Sequence, residues 1–276
     1  MSPIFDLHTH STASDGALSP KLLIEKASAI GINTLALTDH DTIAGLSEAQ
    51  IAADKHNIKL INGIELSSQW NNKTIHIVGL NINVNSEAII DATIHLNQLR
   101  EERAIKMGEK LRKVGIEGAY ENAKRLAGNG TVTRQHFSTF LVENGHAKNQ
   151  TEVFKRYLVK NKPGYASVEW PGLEETVAQI TSAGGVAVIA HPLRYKMTAT
   201  KLRNMIQEFK VLGGKAIEVV TGHNQSKEIE TATAYAKRYD IAASVGSDFH
   251  SSNTPWSQLG KLVSLPAGLT PVWELW

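Results

Sequence analysis

The sequence predicts an α/β fold, a sheet of parallel strands built from βα units and interrupted by a helical insertion. Three observations predict it. Short apolar runs alternate with helix-period segments near both ends of the chain. That alternation stops after Ser86 and resumes after Pro171. The length of 276 residues, 42% of them hydrophobic, is enough for a barrel of about 250 residues.

Residues 4–8 (Ile-Phe-Asp-Leu-His) read as the first strand. Residues 18–30 have helical spacing, with Ser19 as cap, Pro20 at the first helical position and Gly31 as the stop. A second buried strand is expected over 33–37, a helix over 43–56, a third strand over 59–66 and a fourth over 74–82. The middle of the chain then reads as helix alone: a long charged one over 88–114 and shorter ones over 120–126, 134–143 and 152–158. Beyond Pro171 the pattern predicts helix 174–183, strand 186–190, helix 200–212, strand 216–220, helix 225–239 and strand 242–246. A last strand is expected over 261–265, before a tail containing Pro and Trp. Three segments follow: a barrel's first part over 1–95, a helical insertion over 96–168 and the barrel's second part over 169–276.

Composition narrows the chemistry. There is no cysteine, so disulfides, thiolate metal sites and thiol nucleophiles are excluded, and a reducing cytoplasm is the expected location. Any metal must be held by imidazole and carboxylate. No apolar run reaches the roughly 18 residues of a membrane span, and no signal-peptide pattern opens the chain. The net charge of +2 hides an asymmetry: residues 98–162 hold 14 Lys+Arg against 7 Glu, a charge of +7, which leaves −5 on the rest. An acidic body suits cations, and a basic segment suits a polyanionic substrate.

The polar singularities fall at or beside expected strands. His8-Thr9-His10 follows the first, with Asp15 in the loop beyond. Thr38-Asp39-His40-Asp41 follows the second, Glu65 closes the third and His76 lies in the fourth. His191 and then Ser247-Asp248-Phe249-His250 follow two later strands. Of 11 histidines these are six; His56, His95, His136, His146 and His223 show no such placement. In a barrel of parallel strands the C-terminal ends share one face. His8 and His10, like Asp248 and His250, are two apart and so project to one side of an extended strand, where both can grip one ion. An N/O donor set of this kind suits Mn, Fe, Zn or Co.

These motifs, His8-Thr9-His10-Ser11 with Asp15-Gly16, Thr38-Asp39-His40-Asp41, Gly63-Ile64-Glu65, His76, His191-Pro192 and Asp248-Phe249-His250, resemble in order those of the PHP (polymerase and histidinol phosphatase) superfamily. Within it, the helical insertion between His76 and His191 resembles that of 3′,5′-nucleoside bisphosphate phosphatases and 5′→3′ exoribonucleases. Thr133-Arg134-Gln135-His136 is similar to that group's Gly-Arg-Pro-His segment, with Thr and Gln in place of Gly and Pro. Lys162-Pro163-Gly164-Tyr165 is similar to its Lys-Pro-Ala-Tyr, with Gly for Ala.

The resemblance implies a distorted (β/α)7 TIM-like barrel with an α-helical insertion domain as substrate-binding cap. It implies three divalent ions per chain, Mn2+ foremost, with Fe2+, Zn2+ or Mg2+ as alternatives. His8, His10, Glu65 and Asp248 would hold one ion. Glu65, His76 and His191 would hold a second, with Glu65 bridging, and Asp15, His40 and His250 a third. Asp39 and Asp41 are expected as supporting or capping carboxylates, Asp39 orienting a ligand histidine.

The implied reaction is hydrolysis of nucleotide phosphate esters by a metal-bridging hydroxide, with Glu65, His191, Asp248 and Arg134 as catalytic residues. Arg134 is the expected bidentate phosphate contact, joined at the substrate by His136, Lys162, Tyr165 and His223. The expected substrate is a nucleotide or a short RNA 5′ end. Aromatic residues are 6% of the chain and form no stacking array, so no nucleic-acid-binding module and no membrane partner are expected, and the oligomeric state stays open. A histidinol-phosphatase-type phosphomonoesterase and a non-catalytic metal-binding protein are the alternatives.

Overall fold

Seven strands form one sheet in simple sequence order. They are β1 (Phe5–Thr9), β2 (Thr34–Leu37), β3 (Lys59–Trp70), β4 (Lys73–Leu80), β5 (Val186–Ile189), β6 (Ala216–Thr221) and β7 (Ala242–Gly246). The computed structural model describes residues 4–222, 224–253 and 256–276. The chain divides into two compact units, Met1–Thr93 with Trp170–Trp276, and Ile94–Glu169.

The first unit holds the sheet. The backbone closes it almost completely, because the carbonyl of His8 accepts from Asp248 N (2.9 Å) and that of Phe249 accepts from His10 N (3.0 Å). Strands β1–β3 and β5–β7 pair in parallel, but β4 is antiparallel to both its neighbours. This corrects the wholly parallel sheet expected from the βα rhythm. The cause is local: Trp70 and Lys73 pair across a two-residue turn, Asn71-Asn72, at φ +46° and +59°. A type I′ hairpin requires positive φ at both central residues, and Asn tolerates it.

Alternation along each strand sorts side chains between two cores. Leu35 and Leu37 face outward, against Leu23 and Ile24 of helix α1 (Pro20–Ala29) and Ala49 and Ala53 of α2 (Leu46–His56). Leu7, Ala36, Ile61, Val78, Val188, Ala216 and Ala242 pack inward as an apolar floor. Moving two or four residues along the same strand faces leads from that floor to Glu65, His76 and Glu218. Three further helices surround this sheet: α7 (Leu173–Ser182), α8 (Ala199–Val211) and α9 (Ser226–Tyr239). Helix α1 begins as its cap residues dictate, with Ser19 Oγ accepting from Leu22 N (3.3 Å) and Pro20 first in the helix.

The second unit is helical. Helix α3 (Glu87–Arg112) runs into it and is followed by α4 (Ala119–Ala127), α5 (Arg134–Glu143), α6 (Gln150–Val153) and a π-helical turn, Phe154–Leu158. It has its own core of Met107, Leu111, Phe137, Phe140, Leu141 and Leu158. Residues 261–265 do not form the strand expected there. β7 instead makes an isolated parallel bridge from Ala243 to Pro271, and Trp273 stacks on Phe5 at 4.0 Å.

Asn72→Ala is expected to destabilise the chain by about 1 kcal/mol, because a Cβ-bearing residue without a compensating side-chain hydrogen bond pays the left-handed penalty. Urea unfolding checks this, and Asn72→Gly should leave stability equal or higher.

Candidate metal centre

The strand ends bring the polar residues into one buried cage. His8 lies in β1, and His10 follows it. Thr38 Oγ1 accepts from Thr9 N (3.1 Å) and donates to the Thr9 carbonyl (3.1 Å), so the ends of β1 and β2 are tied. The loop after His10 folds back tightly: a Cβ at Gly16 would stand 2.3 Å from the His10 carbonyl, and only glycine fits. That turn carries Asp15. Beyond β2, Asp41 sits at φ +54° and accepts from Ser67 N (2.6 Å), which fixes the backbone around His40. His76 arrives from the beginning of β4, and the antiparallel run of that strand is what puts its first half at this face. The backbone also leaves ordinary regions at His191 (φ +31°) and Asp248 (φ +53°), each just beyond a strand.

Glu65 is the hub, fully buried. Its Oε1 lies 2.9 Å from His76 Nδ1 and 3.2 Å from His191 Nε2. Its Oε2 lies 2.7 Å from His40 Nδ1, 3.4 Å from His8 Nε2 and 3.5 Å from His10 Nε2. Those Oε2 contacts are too poorly aligned to be hydrogen bonds. His8 Nε2 and His10 Nε2 are 3.1 Å apart, and Asp248 Oδ1 is 3.6 and 3.2 Å from them. These five separations, 3.1 to 3.6 Å, bracket the roughly 3.3 Å edge of a tetrahedron whose vertices stand about 2.0–2.1 Å from a central divalent ion. On the other side, Asp15 Oδ1 is 3.2 Å from His250 Nε2 and 3.9 Å from His40 Nε2. Donor atoms of His10, Asp15, His40 and His250 can meet at one ion, as can those of His8, His10 and Glu65, and those of His40, Glu65 and His76. The residues present fit divalent metal.

Burial disfavours every charge here, and the neighbours decide which charges persist. Against burial, Glu218, Glu65 and Asp248 hold His8 protonated well above the usual imidazole range. Burial likewise opposes His250, and Asp15 and Asp248 raise it to about 10. His10 is driven down to about 3 by burial and then by His250 and His40. His76 is lowered, by burial first. Burial pushes Asp15, Glu65 and Asp248 upward, but surrounding imidazoles hold all three well below the usual carboxylate range.

All nine residues expected from the sequence as ligands (His8, His10, Asp15, His40, Glu65, His76, His191, Asp248 and His250) therefore lie in this cage. Their grouping is more interlaced than the three separate sets expected: His40 is nearer to Glu65 than to Asp15, and His10 also reaches the Asp15 group. Asp39 does not orient a histidine. It accepts from Ser11 N (2.7 Å), Ser11 Oγ (2.6 Å) and Ser14 Oγ (2.6 Å), and so braces the loop that carries Asp15. Sequence reading missed three contributors. Glu218 takes His8 Nδ1 at 2.6 Å, and its signal was a lone carboxylate inside an apolar strand. Arg194 donates to Asp248 Oδ2 at 2.5 Å. Tyr195 Oη accepts from His76 N (2.8 Å).

Four of the five remaining candidates lie in the helical unit. Arg134 opens α5, with its guanidinium 5.7 Å from the Phe154 ring centroid. His136 Nδ1 accepts from Thr133 N (3.0 Å), which completes a capping box. Lys162 is exposed, and the Tyr165 carbonyl accepts from Lys110 Nζ (2.7 Å). His223 lies outside the described residues.

Comparison with known proteins yields a match to the PHP domain family over residues 6–168. A 5′-3′ exoribonuclease of Haemophilus influenzae is 44% identical over 274 residues, covering 99% of each chain. A 3′,5′-nucleoside bisphosphate phosphatase of Chromobacterium violaceum is 41% identical over 270 residues, covering 98% of this chain and 95% of the relative. A solved structure of an amidohydrolase from Chromobacterium violaceum, with bound sulfate and no metal, superposes with a TM-score of 0.93 at 40% identity, covering 98% of this chain and 95% of that one.

A metal bound through His8 and His250 would displace the protons they carry. Both rings are held protonated above their ordinary value, so the competition is strongest at low pH. Apparent affinity for Mn2+ is expected to rise from pH 6 to pH 8, about tenfold per unit for each proton displaced. Calorimetry in two buffers of different ionisation enthalpy should show proton release; a pH-independent affinity would contradict the charge pattern.

Proposed function

The chain is a member of the PHP domain family, and from that membership and the cage we propose that it is a divalent-metal phosphoesterase acting on nucleotides. The substrates proposed are 3′,5′-nucleoside bisphosphates, cleaved at the 3′-phosphate, and the 5′ ends of short RNA. One observation supports this most: a single buried carboxylate, Glu65, with five imidazoles within 3.5 Å. Such an assembly gathers like charges unless cations occupy it. When bound, divalent ions there supply Lewis-acid chemistry, drawing charge from a phosphoryl oxygen and bringing the ionisation of water into the neutral range.

His8, His10, Glu65 and Asp248 are proposed for one ion. Glu65, His76 and His191 are proposed for a second, and Asp15, His40 and His250 for a third, with Mn2+ as the first candidate. Glu65 has one oxygen for each of the first two sets and so would set their spacing. Arg194 holds Asp248 by Oδ2, which leaves Oδ1 facing the cage. Tyr195 pins the β4 backbone at His76, so that ring keeps its place beside Glu65. The cysteine-free chain offers no thiol nucleophile, and the reading needs no covalent intermediate.

Residues 96–168 are proposed as the substrate-binding cap, between barrel segments 1–95 and 169–276. Its Arg134 would take the second phosphate by a bidentate contact, helped by Lys162, Tyr165 and His136. The bisphosphate and RNA readings share this arrangement, since a 5′ terminus also presents two phosphates one nucleoside apart. The names of the relatives support both, and sulfate in the related solved structure is a tetrahedral oxyanion like phosphate. A cytoplasmic location belongs to the same reading. Among the described residues no helix is long and apolar enough to cross a membrane.

Mn2+-loaded protein is expected to release phosphate from 3′-phosphoadenosine 5′-phosphate or mononucleotides from 5′-phosphorylated short RNA. Turnover (kcat/KM) of at least one of these should exceed that of histidinol phosphate by about 100-fold, because a site built for two phosphates leaves its second anion contact unpaired with the smaller ester. Arg134→Ala should raise KM more than it lowers kcat. A metal-replete preparation that prefers histidinol phosphate would replace this reading with the phosphomonoesterase one.

A further inference from the structure

Glu218 is a carboxylate inside the barrel that the ligand motifs do not include. It lies on the inward face of β6, two residues beyond Ala216 of the apolar floor, and is 1% exposed. A buried carboxylate is costly unless its partners are strong. Glu218 has two such partners, on two other elements. Oε1 meets His8 Nδ1 at 2.6 Å, and Oε2 accepts the backbone N–H of His191 at 2.5 Å.

The fold makes room for this contact. The β6–β7 register shifts between Glu218 and Val220, and the β1–β2 register shifts between Asp6 and Thr9, around His8. Bulges of this kind re-aim side chains beside functional sites. On β7, a Cβ at Gly246 would stand 2.2 Å from His8 Cβ and 3.0 Å from Glu218 Oε1. Any larger residue there would push the pair apart.

We propose that Glu218 is a positioning residue of the metal centre: one carboxylate sets the ring and tautomer of His8 and, through the His191 backbone, holds a second ligand-bearing turn in place. With Nδ1–H donated to Glu218, the neutral ring has its lone pair on Nε2. That is the atom facing His10, Glu65 and Asp248 at 3.1, 3.4 and 3.6 Å. The other carboxylate oxygen holds the residue at φ +31°, where a free backbone would relax. Support of this kind usually contributes about 10- to 100-fold in metal affinity. The inference rests on the metal-centre reading above.

Glu218→Gln tests it. The amide has one oxygen for two donors. If its NH2 faces His8 Nδ1, the neutral ring must carry its proton on Nε2, the wrong atom for a ligand. Mn2+ affinity, by equilibrium competition, is expected to fall about 10- to 100-fold, while Glu218→Asp, too short to span both partners, should not restore it. In a His8→Ala background, Glu218→Gln should cost much less, because most of its effect runs through that ring. A folded Glu218→Gln chain with wild-type affinity, whatever its melting temperature, would overturn the proposal. A second measurement needs no variant: 113Cd bound to 15N-histidine-labelled wild type should couple to His8 Nε2. Coupling to Nδ1 would overturn the proposal equally, since Glu218 could not then hold that atom. Wild type that binds neither Mn2+ nor Cd2+ would instead sink the metal-centre reading on which the proposal stands.

Discussion

The carboxylate of Glu65, sealed from water and ringed by His8, His10, His40, His76 and His191, is the constraint on which the rest of this structure turns. A carboxylate in an apolar interior is expelled or neutralised unless cations compensate it. Five imidazoles cannot all be cationic beside one another, as the depressed His10 and His76 show. The protein alone divides the charge unevenly, with protons retained on His8 and His250 and refused by His10. Divalent cations resolve the same conflict with fewer charges in contact, and they use the lone pairs that protons would otherwise occupy.

The barrel is shaped to this end at some local cost. His191 and Asp248 leave their strands through left-handed backbone, and Asp41 does the same beside His40. Such conformations persist only where surrounding bonds hold them. Those bonds are present: Glu218 at His191 N, Ser257 Oγ at the Asp248 carbonyl (2.7 Å), and Ser67 N on Asp41. Asp6, below the cage, accepts from Ser247 N (2.8 Å) and Gly260 N (2.9 Å), and burial raises it to about 6. The rim is thus held by bonds to the backbone on several sides.

Much of this was legible in the chain. The helix starting at Pro20 and the strands up to β7 follow from caps and periodicity, eight of the ligand candidates follow from His, Asp and Glu standing in or beside strands, and Asp15 follows from the family resemblance alone. What was not legible depended on three-dimensional neighbours. The reversal of β4 hides in Asn71-Asn72, whose turn signal is weaker than Asn-Gly, between two runs that read equally well as βα strands. Glu218 stands in an apolar strand, and its purpose appears only when β6 and β1 are brought within reach of each other across Gly246 of β7. Asp39 adjoins His40 in sequence, but the loop beyond His10 brings Ser11 and Ser14 to it, and two hydroxyls with a backbone N–H satisfy it. The segment 261–265 reads as a short apolar strand yet finds no edge to join, because β1 and β7 already bond to each other near the cage.

The charge distribution joins the cage to the substrate. The chain outside residues 98–162 carries −5, and that alone would repel a nucleotide with two phosphates. On the proposed function, each divalent cation held by the cage would offset two of those charges where the scissile phosphate is proposed to come. Substrate affinity would then be coupled to metal loading through the field as well as through direct coordination. The helical segment, at +7, needs no such conversion and attracts phosphate in either state. A phosphate contact such as the one proposed for Arg134 would thus serve binding with or without metal, while the barrel's contribution would appear only on loading. On the proposed function, discrimination between esters would rest on the helical unit and hydrolysis on the barrel.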